Sequence, residues 1–84
     1  MTPSTTYYDP AKFPQGVEVR VVALAALEEF RREWKLHNKL QLEQMSYAGR
    51  TTRVAKSMMY HGGYVLYELE GLPGIWHEQC VEAV

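Results

Sequence analysis

Apolar residues recur along this chain with two different periods, and the switches between them mark out its elements. From Gly16 to Val21 the order is GVEVRV. Val17, Val19 and Val21 alternate with Glu18 and Arg20, which is the period of a half-buried strand, and valine's branched side chain suits that backbone. The period then turns helical. Leu24, Leu27, Phe30 and Trp34 share one side of a helix predicted over residues 23–34. Alanines and glutamates lie near its start and Arg31, Arg32 and Lys35 near its end, an order that suits the helix dipole. His37-Asn38 is the expected stop, because Asn tolerates the left-handed conformation. A second helical turn is expected over residues 41–48, with Leu42 and Met45 inward and Gly49 ending it.

From Arg50 the period returns to two. Thr52, Val54, Lys56, Met58 and Tyr60 would share one face, with Arg53, Ala55, Ser57 and Met59 on the other. Lys56 interrupts the apolar face, which points to a bulge or an edge position there. His61-Gly62-Gly63 reads as a hairpin turn. The strand returning over residues 64–70 directs Val65, Tyr67 and Leu69 to the core and Glu68 and Glu70 to water. Gly71-Leu72-Pro73-Gly74 reads as a second turn, with Pro where it pre-organises the backbone. Residues 75–78 form a short strand with Trp76 inward, and residues 80–84 a helical turn and a last strand. Residues 1–15, with three prolines and no periodicity, read as an N-terminal tail, although Tyr7, Tyr8 and Phe13 give it something to pack with.

A chain of 84 residues holding one alternating sheet and one helical insert is one domain, here residues 16–84 with the insert at about 23–48. An antiparallel sheet this small removes its edges by curling on itself, so the expected fold is mainly β with a helical insert (α+β), a five-stranded SH3-like antiparallel barrel. The strand opening at Gly16, Ala48-Gly49-Arg50 before the second strand, the Tyr60-His61-Gly62-Gly63 turn and the closing Gly74-Ile75-Trp76-x4-Val81-Glu82 together resemble small SH3-like barrel domains. The similarity is to the repeats of mind-bomb-type ubiquitin ligases, to short bacterial SH3-like proteins and, more distantly, to the barrel of nitrile hydratase β subunits. That resemblance implies a non-catalytic module that binds a protein or peptide, or, by the last relationship, an accessory or subunit domain of an enzyme.

Charge and chemistry refine this expectation. The formal net charge is −1, but residues 31–56 hold seven of the nine Lys and Arg, and residues 57–84 hold none. The basic stretch raises nucleic-acid binding through Arg31, Arg32, Lys35, Lys39, Arg50 and Arg53 as an alternative, against which the net charge weighs. A single cysteine excludes an internal disulfide, and no run is apolar enough to span a membrane or serve as a secretory leader, so a cytoplasmic setting is expected.

His77-Glu78-Gln79-Cys80 is the segment most suggestive of chemistry. A cysteine nucleophile needs a base and a third group to orient it, and no third group can be named. For a metal, His37, His61, His77 and Cys80 are the available ligands, but only His77 and Cys80 have a local spacing, whereas structural zinc sites show two close pairs. No catalytic residue, cofactor or metal site is therefore assigned. The aromatic residues carry more. Tyr67 and Trp76 are expected in the core, and Trp34, Tyr47, Tyr60 and Tyr64 are candidates for a protein-binding surface, since exposed Tyr and Trp near Arg make natural contact sites. The chain is expected to be a monomer or a weak homodimer.

Overall fold

The fold is that of a computed structural model, which describes residues 13–36, 38–60 and 63–84. Strand β1 (Glu18–Val21) leads into helix α1 (Leu24–Glu33) and a first 3-10 helix (Leu42–Tyr47). Strands β2 (Thr51–Met59), β3 (Val65–Leu69) and β4 (Trp76–His77) follow, then a second 3-10 helix (Glu78–Cys80) and β5 (Val81–Ala83). Every pairing is antiparallel and the strand order is β4-β3-β2-β1-β5, which leaves β4 and β5 at the edges.

The alternation read in β1 and β3 sets the core. Val19 and Val21 of β1 and Val65, Tyr67 and Leu69 of β3 are buried, and Trp76 of β4 stands opposite Tyr67. Val17 departs from the expected pattern. It lies outside the strand at the rim, where its carbonyl accepts from Val54 but its side chain is exposed. Phe13 is buried on this core, its N–H donating to the Tyr67 hydroxyl at 3.2 Å. Residues 1–12 of the expected tail lie outside the described residues.

Strand β2 changes partners along its length. Its first residues pair with β1 and the rest with β3, and the register slips between Val54 and Lys56. That slip is the bulge expected near Lys56, and it corrects the expected faces. Val54 points into the core, but past the extra residue Ala55 the alternation inverts. Ser57 and Met59 stand opposite the core residues Tyr67 and Val65, while Lys56 pairs with Glu68 and Met58 with Leu66 on the other face. A one-residue insertion exchanges the two faces in this way because the side-chain period is two.

The helical insert also differs from the expected orientation. In α1, Leu27 and Phe30 are buried and Trp34 packs against the core, but Leu24 is 46% exposed. Leu42 is 70% exposed rather than inward, Met45 is half-buried against the core as expected, and the fully buried residue of that segment is Gln44. The cause is the helix type. A 3-10 helix has three residues per turn, so Gln44 and Tyr47 share its inner side. Gln44 is tolerated there because its amide is satisfied. Its Oε1 accepts from the Gln41 N–H at 2.8 Å, and its Nε2 donates to the Ile75 and Pro73 carbonyls at 3.1 and 3.3 Å.

Gly49, left-handed at φ 78°, follows the cap of the first 3-10 helix as expected, but α1 stops at Glu33 with an extended Trp34 as its cap, short of the left-handed Asn38 (φ 57°) expected to end it. The turn after β3 sits earlier than expected. Leu72 N–H bonds back to the Leu69 carbonyl at 3.2 Å through the left-handed Gly71, so Pro73 follows the turn instead of shaping it. No described helix is long and apolar enough to cross a membrane.

Candidate functional site

Alternation along β3 and β4 puts a second set of side chains on the face away from Tyr67 and Trp76. Leu66 stands opposite His77 and opposite Met58, and Tyr64, two residues before Leu66, extends the same row. Tyr60 closes the hairpin beside it, its N–H donating to the Tyr64 carbonyl at 2.9 Å. The middle of the turn, His61 and Gly62, lies outside the described residues, as does His37. Both faces of the sheet are therefore apolar at this end, and α1 supplies cover through Phe30 and Trp34, one helical turn apart.

The result is an aromatic seam between the helical insert and the β2–β3 hairpin. Phe30 and Trp34 stack with centroids 5.6 Å apart at 16°. Trp34 meets Tyr64 edge-on at 5.1 Å and 79°, and Tyr64 lies 5.3 Å from Tyr60. These are geometries in which rings attract beyond simple burial. Three of the four expected surface aromatics, Trp34, Tyr60 and Tyr64, thus come together, each half-buried. The fourth, Tyr47, does not join their ring contacts; it packs on the core from the first 3-10 helix, with the Arg50 guanidinium 5.3 Å from its ring centre.

His77 is the member of this seam that sequence reasoning missed. Its imidazole lies 4.6 Å from Trp34, 4.8 Å from Tyr64 and 4.9 Å from Phe30. It is buried, and its Nδ1 accepts from the Gln79 N–H at 3.0 Å, capping the second 3-10 helix. With Nδ1 used as an acceptor, the neutral ring carries its proton on Nε2, which is buried without a hydrogen-bond partner among the described residues. Burial lowers the His77 pKa, with Glu78 pulling weakly the other way. Tyr64 is shifted up, first by burial of its phenol and then by the neighbouring Tyr60. The available signal was the two-residue period: it places His77 on the face opposite Trp76.

Cys80 stands at the far end of the same 3-10 helix, fully buried, and burial pushes its thiol up to about 12. A thiol so placed is a core filler with little thiolate. Among the described residues, no group of three or more His, Cys, Asp and Glu is arranged to hold a metal ion. The basic candidates Arg31, Arg32, Lys35, Lys39, Arg50 and Arg53 are all exposed; Arg50 also lies over the Tyr47 ring, and Arg53 donates to the Gly16 carbonyl at 3.4 Å.

No family model, curated protein or solved structure matches this chain.

Proposed function

We propose that this chain is an SH3-like barrel serving as a non-catalytic protein-interaction module, with the Trp34–Tyr60–Tyr64 seam as its contact surface. The strand order supports the barrel reading, because β1 is flanked by β2 and by the last strand. So do the bulge, which divides the sheet into two halves, and the 3-10 turn leading into β5. The observation that carries the function is the seam: three half-buried aromatic rings gathered where a helical insert meets a hairpin. Such amphipathic rings give contact area with little loss of side-chain freedom, and residues of this kind dominate binding energy in protein interfaces.

The non-catalytic reading draws on the same segment. The thiol is buried and protonated, and the imidazole spends Nδ1 on a backbone N–H. Neither is offered to a substrate.

The test is affinity capture with the wild-type chain and with Trp34→Ala and Tyr64→Ala. A specific protein retained by the wild type and lost by both variants, with circular dichroism unchanged, is the expected result. A wild type that enriches nothing, or variants that retain the partner fully, would overturn the reading.

A further inference from the structure

Two leucines that an α-helical period directs inward stand in water instead. Leu24 of α1 is 46% exposed and Leu42 of the first 3-10 helix is 70% exposed. They are not scattered. With Met45, Glu28, Arg31 and Arg32 they line one open groove of about 440 Å³ between the two helices. Single exposed apolar side chains are ordinary, but a pair from separate elements in one groove with a charged rim marks a contact surface. We propose that a second copy of this chain docks on this groove and forms a weak two-fold dimer. Helical spacing puts Leu24, Glu28, Arg31 and Arg32 on the flank of α1 away from Phe30 and Trp34, so the dimer goes beyond the role of the seam and does not compete with it.

The charges on the rim choose a second copy over other occupants. Glu28 precedes Arg31 and Arg32 by three and four residues, within reach on the helix surface. Among the described residues, none of the three makes an ion pair; the salt bridge there joins Arg20 to Glu82. The rim therefore carries both signs, unpaired, beside an apolar floor. An acidic peptide or a phosphate backbone would find two arginines but would set its own charge against Glu28. A copy of the same surface meets no such conflict. In a two-fold contact the same patch lies on both sides, so each pairing across it occurs twice. With the axis between Glu28 and the two arginines, the α1 helices run antiparallel and each Glu28 faces Arg31 and Arg32 of the other copy. The exposed surfaces of Leu24 and Leu42 are covered by the same contact.

The strength follows from the size. A stable interface buries about 800 Å² on each partner. Two leucines and the half-buried Met45 offer less apolar area than that, and ion pairs at an exposed rim add little. The charges thus set orientation and choice of partner more than affinity. The copies exchange rapidly, and the dimer fills only at high concentration.

Sedimentation of the full chain from about 10 µM to about 1 mM reads the dimer directly. A shift from monomer toward dimer across that range is expected. Leu42→Ser, at a site 70% exposed, keeps the fold and weakens association at least tenfold. Glu28→Arg makes the rim wholly basic, and Arg31→Glu with Arg32→Glu makes it wholly acidic. Each of these chains alone is expected to stay monomeric with circular dichroism unchanged, and an equal mixture of the two to form a heterodimer. A wild type still monomeric at about 1 mM would overturn the proposal. So would a dimer untouched by Leu42→Ser, or charge variants that mixing does not bring together, since the copies would then meet elsewhere. A monomeric wild type whose Leu42 methyl resonances shift with a capped Asp-Leu-Leu-Asp peptide would give the groove to an acidic partner instead. Shifts with a single-stranded oligonucleotide, lost at high salt, would give it to nucleic acid.

Discussion

The backbone N–H of Gln79 donates to Nδ1 of His77 at 3.0 Å, and that one bond fixes which protonation state of the imidazole the fold accepts. Protonation would put a hydrogen on Nδ1, facing the N–H that now points at its lone pair. The second 3-10 helix would lose its cap, and a charge would stand among Phe30, Trp34 and Tyr64. Other titratable groups near the ring are Glu78, whose charge favours protonation, and the Tyr64 phenol, whose own pKa is pushed up by burial.

Stability should therefore depend on pH with a known sign. The folded pKa of His77 lies below its ordinary 6.5. The stabilisation is complete above about pH 6.5 and is lost as pH falls through the lower folded value, at no more than about 1.4 kcal/mol per pH unit for one proton. Urea unfolding at pH 7.5 and 5.5 measures it. His77→Asn keeps an acceptor for the Gln79 N–H but does not titrate. It should be less stable than wild type at pH 7.5 and flatter between the two pH values. Parallel losses in wild type and variant would assign the effect to other groups.

Gln44 should be intolerant of charge. Its Nε2 points at two carbonyls, so Gln44→Glu sets a carboxylate against two acceptors in a fully buried site. We expect a loss of about 3–5 kcal/mol, as for an uncompensated buried charge. Gln44→Met, which keeps the volume but abandons the hydrogen bonds, should cost about 1–3 kcal/mol. Denaturant midpoints rank the two. A Glu variant as stable as the Met variant would mean that the site admits water or relaxes.

Gly74 abuts the same amide. It has φ +81°, and a Cβ there would come within 2.9 Å of Gln44 Nε2. Gly49 is also left-handed, at φ +78°, but a Cβ would meet nothing within 4 Å. Alanine at Gly49 should thus cost only the backbone strain, about 1 kcal/mol, while alanine at Gly74 adds a clash with a held side chain. Thermal or urea unfolding of the two variants should show Gly74→Ala as the less stable, and equal losses would remove the steric part of this account.

These positions also mark how far the sequence could be read. The alternation in β1 and β3 and the helical period of α1 were legible because each reports local geometry, and Tyr67 and Trp76 followed as core. Gln44 was not, because an α-helical period predicts Leu42 and Met45 inward, and only the tighter 3-10 winding turns Gln44 to the centre. The bulge was foreseen from Lys56, yet its consequence, the exchange of faces that puts Met58 with Leu66 and His77, depends on which residue is extra. The aromatic composition of the seam was visible. Its assembly was not, since Trp34, Tyr64 and His77 come from three elements whose contact is set by tertiary packing.

Cys80 offers the last test, and it separates structure from chemistry in the segment that first suggested a reaction. The thiol is fully buried and raised to about 12, so at pH 8 it should react with a disulfide reagent such as DTNB only when the chain opens. In native buffer the reaction should be slow and independent of reagent concentration once opening limits it. In 6 M guanidinium it should be complete within the mixing time. The native rate should also rise in His77→Asn, because losing the imidazole's packing on Phe30, Trp34 and Tyr64 loosens the segment that ends at Cys80. Rapid labelling of the native wild type would show an accessible, activated thiol and reopen the case for chemistry at His77 and Cys80.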